Sequence, residues 1–358
     1  MGNIFRVCGV KAKTFAQPCL ALAMSAMACP QAFETIPLIL AAGGWDPETS
    51  RRVLSVVTER MESETVVVNL IEQLKACAEI VTHTVANFIP KPFLSTLCLA
   101  AHRLIKENKA GRIAVQVEEY EGDENEDDLS YTLLCITSLV GSLLRTQDEF
   151  LTAFVGEFMP ILTEWLNPNA DDAEHSAAIC CLCDLVEYRP AVAAGHYDRI
   201  LPVMILYAKS ANSTIKRAAS FGLGVCCDLM VSQPSAAKEA SIVIIAETLL
   251  ASVKVTWCCS DDEDSEAAIA NAAWSIVKVL TAFPGELAGP VEDSVIAALV
   301  ARMPFSGDEE EAVKVHRFLV EGVQGGKRLL APHGDAIRRA LKDSECLDDE
   351  TREMLSKS

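Results

Sequence analysis

The stretch TIKRAASFGLGVCCDLM (214–230) opens on charged and polar residues, passes through a pair of small ones and then presents an apolar face. Two other stretches have the same plan: HSAAICCLCDLVEYRP (175–190) and EAAIANAAWSIVKVLTAFP (266–284). Laying Ala177 on Ala218 on Asn271 brings Glu187 onto Asp228 and puts Cys180, Phe221 and Trp274 in one register. The steps are 41 and 53 residues. They sit near the 40–47 of a HEAT or armadillo array, with an insertion in the second step. The spacing predicts a run of paired helices across Glu149–Gly322, each pair closing on a similar second member.

The whole chain suits that reading. It has 358 residues, 50% of them hydrophobic, which is enough to bury a large core. Only 6% are aromatic. An apolar complement so poor in aromatic residues favours closely packed helices over a sheet built on aromatic and β-branched pairs. No stretch shows sustained two-residue alternation, so strands are not expected. The net charge of −19 argues against a generic phosphate-backbone binder and favours partners with basic surfaces. Acidity also serves plain solubility.

Fourteen cysteines invite a metal or disulfide reading until their positions are examined. Cys180, Cys181 and Cys183, Cys226–Cys227 and Cys258–Cys259 crowd inside helices or at their ends, without CxxC knuckles or a histidine at matching distance. Adjacent cysteines on a helix point about 100° apart and chelate poorly together. Small buried thiols in a reducing compartment are expected.

Along the chain, Thr14–Cys29 imitates a secretory leader, but Gln17 and Pro18 interrupt it. MGNIFR lacks the hydroxyl residue of a myristoylation signal. Neither secretion nor a lipid anchor is expected, and no apolar run is long enough for a membrane span. Residues 1–44 read as a poorly defined helical lead and 45–116 as HEAT-like helices, beginning where Asp46 caps and Pro47 enters the first turn. Single helices are expected over Glu64–Asn87, Glu149–Leu166 and Lys327–Lys342. The segment 117–128 reads as an acidic loop with eight carboxylates, Glu118, Glu119, Glu121, Asp123, Glu124, Glu126, Asp127 and Asp128, and no base. Such a block repels itself into a solvated linker, or acts as a lure for basic partners. Residues 129–358 read as a C-terminal repeat array.

A search for chemistry finds no constellation. Gly222–Leu223–Gly224 lies in a helical pattern rather than between strand and helix, and the six histidines are scattered. No catalytic, cofactor-binding or metal-ligating residues are assigned, and no enzyme activity is expected. Ala218, Ala219, Gly222 and Gly224 instead let a neighbouring helix approach, at about 1 kcal/mol of helix propensity per glycine. The candidate protein-binding surface is Glu187, Asp228, Asn271, Trp274 and Glu321, all from second helices. Trp274 offers a rigid flat contact and Asn271 a grip on an extended peptide backbone. The alternative is a partly buried tryptophan and an asparagine satisfied by its neighbour.

STIKRAASFGLGVCCDL (213–229), NAAWSIVKVL (271–280) and MPFSGDEEEAVKVHRFLVEGV (303–323) resemble the C-terminal HEAT repeats of the importin-β (karyopherin-β) family, most closely the importin-5 type. Lys216 and Arg217 precede the Ala218–Gly224 run, Asn271 follows, and Glu310–Val313 forms the acidic helix start. The resemblance implies an all-α, HEAT/armadillo-like superhelix, a right-handed solenoid of antiparallel helix pairs. It further implies a nuclear transport receptor, or its C-terminal portion, that binds protein cargo for import and moves between cytoplasm and nucleus. Implied partners are basic cargo proteins or localisation peptides and FG-nucleoporins, with neither direct nucleic-acid binding nor membrane insertion. Ran-GTP is a doubtful partner on this reading, because the family's principal Ran contacts lie in N-terminal repeats absent here. The alternative function is a non-catalytic HEAT-repeat scaffold or regulatory subunit of another complex.

Overall fold

The computed structural model describes residues 13–26, 31–43, 45–64, 66–83, 86–87, 89, 91–109, 127–233, 238–254, 263–287, 289–342 and 344–357. Every regular element among them is helical, and consecutive helices stack as antiparallel pairs in the manner of HEAT and armadillo repeats. The chain divides into two compact units between Asp184 and Leu185.

The first unit contains α1 (Lys13–Ser25), α2 (Gln31–Gly43), α3 (Pro47–Ser63), α4 (Val67–Thr82), α5 (Lys91–Lys109) and α6 (Asp127–Thr146). It continues with α7 (Phe150–Ala153), a π-helical turn (Phe154–Phe158) and α8 (Met159–Trp165). The division itself falls in α9 (Asp172–Tyr188). Two layers result: α2, α4 and α6 lie side by side in one, and α3 packs on α5 in the other. The Asp46 carboxylate accepts from the Thr49 N–H at 2.9 Å, which is the cap anticipated for α3.

Two helices differ from expectation for local reasons. Glu64 stays outside α4 because its carboxylate accepts from the Val66 N–H at 2.9 Å and from Gln73 Nε2 at 3.2 Å. At the far end Asn87 takes a left-handed φ of 55°. It is pinned to the end of α6 by its N–H on the Thr146 carbonyl (2.7 Å), so α4 stops at Thr82. The helix expected over Glu149–Leu166 widens into the π turn just ahead of Pro160. Proline has no N–H to give the Gly156 carbonyl, and its ring crowds that position.

The second unit runs from α10 (Pro190–Ala193) through a 3₁₀ turn (Ala194–His196) to α11 (Tyr197–Tyr207), α12 (Ser213–Ser232), α13 (Lys238–Lys254) and α14 (Glu263–Ala282). It ends with α15 (Gly289–Arg302), α16 (Glu309–Gln324), a 3₁₀ turn (Ala331–His333), α17 (Gly334–Leu341) and α18 (Asp349–Lys357). The helix expected over Lys327–Lys342 therefore begins only at Gly334, because Pro332 holds the preceding turn in 3₁₀ form. Again there are two layers. The second helices α12, α14 and α16 lie side by side, and α13 packs on α15.

The anticipated close approach occurs between α12 and α14. A Cβ on Gly224 would lie 2.5 Å from Ser275 Oγ, so a side chain here would displace Ser275 or push α14 away. Ser275 Oγ in turn donates to the Ser220 carbonyl at 2.8 Å. Leu223, Ile276 and Leu319 fill the core of this layer, all with 1% exposure or less, and each contributes about 1.5–3 kcal/mol of burial. Cys226 and Cys227 on α12 are buried in the same unit, and Cys181 and Cys183 on α9 are buried as well. Burial pushes the Cys226 thiol up to about 12, far from the reactive range.

Candidate functional site

A chain of polar contacts ties the three second helices of the second unit together. Asp308 caps α16, and its carboxylate takes three donors: the Glu311 N–H (3.4 Å), Asn271 Nδ2 from α14 (2.9 Å) and Arg217 from α12 (2.9 Å). Burial raises the Asp308 pKa, but Asn271, the Glu311 amide and the Arg217 guanidinium outweigh it and hold the carboxyl below its ordinary value. Asn271 also donates to the Ala267 carbonyl at 3.0 Å. Both amide hydrogens are thereby spent, and the residue is 4% exposed. This placement corrects the peptide grip expected of Asn271, for its amide faces the repeat interface and is satisfied there.

Beside this lattice run three aromatic rings, each covered by a lysine from further along the chain: from the next second helix for Phe221 and Trp274, and from the turn after α16 for Phe318. Lys278 Nζ lies 5.8 Å from the Phe221 ring centre, Lys314 Nζ 5.6 Å from Trp274 and Lys327 Nζ 4.6 Å from Phe318. Phe221 and Trp274, matched by sequence register, thus occupy matching environments. Lys278 also bridges to Asp228 at 2.7 Å, across the α12–α14 seam. Asp228 is 57% exposed in that pair, so the bridge contributes at most about 1 kcal/mol.

Trp274 opens onto a groove of about 850 Å³. Trp274, Val277, Val313 and Phe318 supply its apolar surface, while Glu309, Glu310, Glu321 and Asp348 supply carboxylates. Its two cations are already engaged. Arg317 Nε donates to Asp348 Oδ2 at 3.0 Å, and Lys314 Nζ donates to Glu310 (2.7 Å) and Glu311 (3.2 Å). Burial lowers the Lys314 pKa, but the two glutamates outweigh it and leave it raised. Burial likewise raises Asp348, and hydrogen bonds from Thr351 and Arg317 reverse the shift. The groove is amphipathic, with a π-face at one wall and surplus negative charge at the others.

Of the five residues singled out by sequence, Trp274 and Glu321 line this groove. Asn271 lies buried in the lattice next to it. Asp228 and Glu187 are exposed and lie outside the groove lining. Of the acidic loop, Glu118, Glu119, Glu121, Asp123, Glu124 and Glu126 lie outside the described residues, and Asp127 and Asp128 form the first turn of α6. Sequence reasoning missed Asp308, Lys314, Arg317 and Phe318. The cap pattern of Asp308 before Glu309–Glu311 was a usable signal for the first. The lysines have no fixed repeat signal. Lys278 follows Trp274 on α14 by one helical turn, whereas Lys314 precedes Phe318 on α16 by one.

The first unit has its own groove of about 550 Å³ between α5 and the π turn, walled by Leu94, Leu99, Phe150 and Ala153 with Glu149 and Glu157. Leu99 is 68% exposed there. Among the described residues no group of three or more His, Cys, Asp and Glu side chains is placed to hold a metal ion, and no helix is long and apolar enough to cross a membrane.

No family model matches the chain. Compared with solved structures, it superposes on Kap121p over 99% of its length with a TM-score of 0.73 and 16% identity. The chain has the fold of Kap121p. It spans 33% of that protein. Human importin-4 is 26% identical over 170 residues, which are 48% of this chain and 14% of importin-4. Kap121p has been solved with Pho4p (TM-score 0.71, 15% identity) and with RanGTP (TM-score 0.72, 15% identity). It has also been solved bound to Nup53p. The RanGTP complex corrects the expectation that Ran-GTP is a doubtful partner: the protein whose fold this chain shares along its length binds it.

Proposed function

We propose that this chain works as a nuclear transport receptor, or a portion of one, of the importin-5 kind, binding protein cargo for import into the nucleus and moving between cytoplasm and nucleus. The groove at Trp274 carries the reading. It combines an aromatic wall with surplus carboxylate on the second-helix layer, as recognition of a basic localisation segment requires. The likeness to Kap121p along the chain and to importin-4 over part of it supports the same direction. The expected organisation is a repeat array over 45–116 and 129–358, with the acidic segment 117–128 as a long-range lure for basic cargo.

Titration of the purified chain with a basic localisation peptide, with and without Ran-GTP, tests this. Salt-sensitive binding that Ran-GTP weakens is the expected result. Failure to bind basic peptides at low salt overturns cargo recognition by this chain.

A further inference from the structure

The groove already holds a cation over its aromatic wall, and that cation belongs to the chain itself. Lys314 sits over Trp274 at 5.6 Å while donating to Glu310 and Glu311. Its side chain is 35% exposed, against 18% for Lys278 over Phe221, so Lys314 has open solvent to swing into. The acceptors around it are not saturated. Glu311 is 7% exposed, and its Oε2 accepts no hydrogen bond. A buried carboxylate oxygen without a donor is costly, and here it lies beside an ammonium whose hydrogens are shared between two glutamates. Arg317 is engaged by Asp348 and Glu350 instead, and does not donate to that oxygen.

Resting on the cargo-binding reading, we propose that Trp274 floors a cation subsite which Lys314 fills in the free protein. A lysine or arginine side chain of the bound partner takes its place. Lys314 then acts as an internal competitor, released to solvent when the partner's cation stacks on the indole and meets Glu310 and Glu311. The charge balance favours exchange. Glu309, Glu310, Glu321 and Asp348 line the same groove, and with Arg317 committed, a partner's added positive charge enters a net negative groove. An arginine fork brings more donors than an ammonium and is the stronger ligand for this set.

The test is an anisotropy titration of the full chain with short fluorescein-labelled lysine-rich and arginine-rich peptides. Lys314→Met keeps the aliphatic stem and removes the competitor, and tightens binding about threefold, as expected for a partly exposed cation–π contact. Trp274→Phe keeps a ring in the packing but weakens the π-face, and loosens binding by about the same factor. Lys278→Met removes the same charge outside the groove and sets the background. Thermal melts matching the wild type show that the variants are folded. If Lys314→Met binds no better than Lys278→Met, or Trp274→Phe binds like wild type, the cation subsite is overturned while cargo binding stands. If the wild-type chain binds neither peptide, both readings fall.

Discussion

Asn271 belongs to a second helix, the layer expected to carry the binding surface, and asparagine is uncommon inside an apolar helix. Its partner explains the exception. Asp308 lies 37 positions away and Arg217 lies 91 from Asp308, so no local pattern links them. Three helices meet at that one carboxylate, which makes it sensitive to change. Asp308→Ala removes a helix cap and leaves one hydrogen of the buried Asn271 amide without its acceptor, while the part-exposed Arg217 guanidinium turns to water, and is expected to lower stability by about 1.5–4 kcal/mol. Urea unfolding followed by circular dichroism measures it. A loss below about 0.5 kcal/mol would show that the lattice carries no load.

At the scale of elements, helix identity was legible wherever a cap preceded an apolar stripe, as at Asp46 before α3. Boundaries failed where a side chain or a proline diverted the backbone: Glu64 before α4, Pro160 at the π turn and Pro332 before α17. The joint between α16 and the chain's end depends on His316, which is fully buried. Its Nε2 accepts from the Phe305 N–H at 3.0 Å, and its Nδ1 donates to the Cys346 carbonyl at 2.8 Å. The ring is therefore neutral, with the proton on Nδ1. Burial lowers its pKa below the ordinary 6.5, despite the Cys346 carbonyl, which favours the charged form. In the pH window below about 6.5 the unfolded chain takes up a proton that the folded one refuses. This contribution to stability is complete above about 6.5 and is lost as pH falls toward the folded pKa. Urea midpoints are expected to drop between about pH 7.5 and 5.5, and His316→Gln is expected to flatten that dependence. An unchanged slope in the variant would place the titration elsewhere.

For the whole molecule, a charge of −19 on 358 residues sets a long-range field that draws basic partners and that salt screens. Affinity for a basic peptide is expected to fall about tenfold between ~0.05 M and ~0.3 M salt, mostly through slower association. Equal affinity at both concentrations would assign binding to apolar contact alone. Composition and periodicity by themselves determined an all-helical chain of paired repeats, the register of Phe221 with Trp274 and the small-residue seam at Gly224. These follow from burying one face per helix, a requirement written locally every turn. Only the tertiary structure decided that Asn271 faces inward, that Asp308 joins three helices and that Lys314 covers Trp274. Those contacts bring together side chains on different helices, and their pairing depends on how the helices shift against one another rather than on any period along the chain.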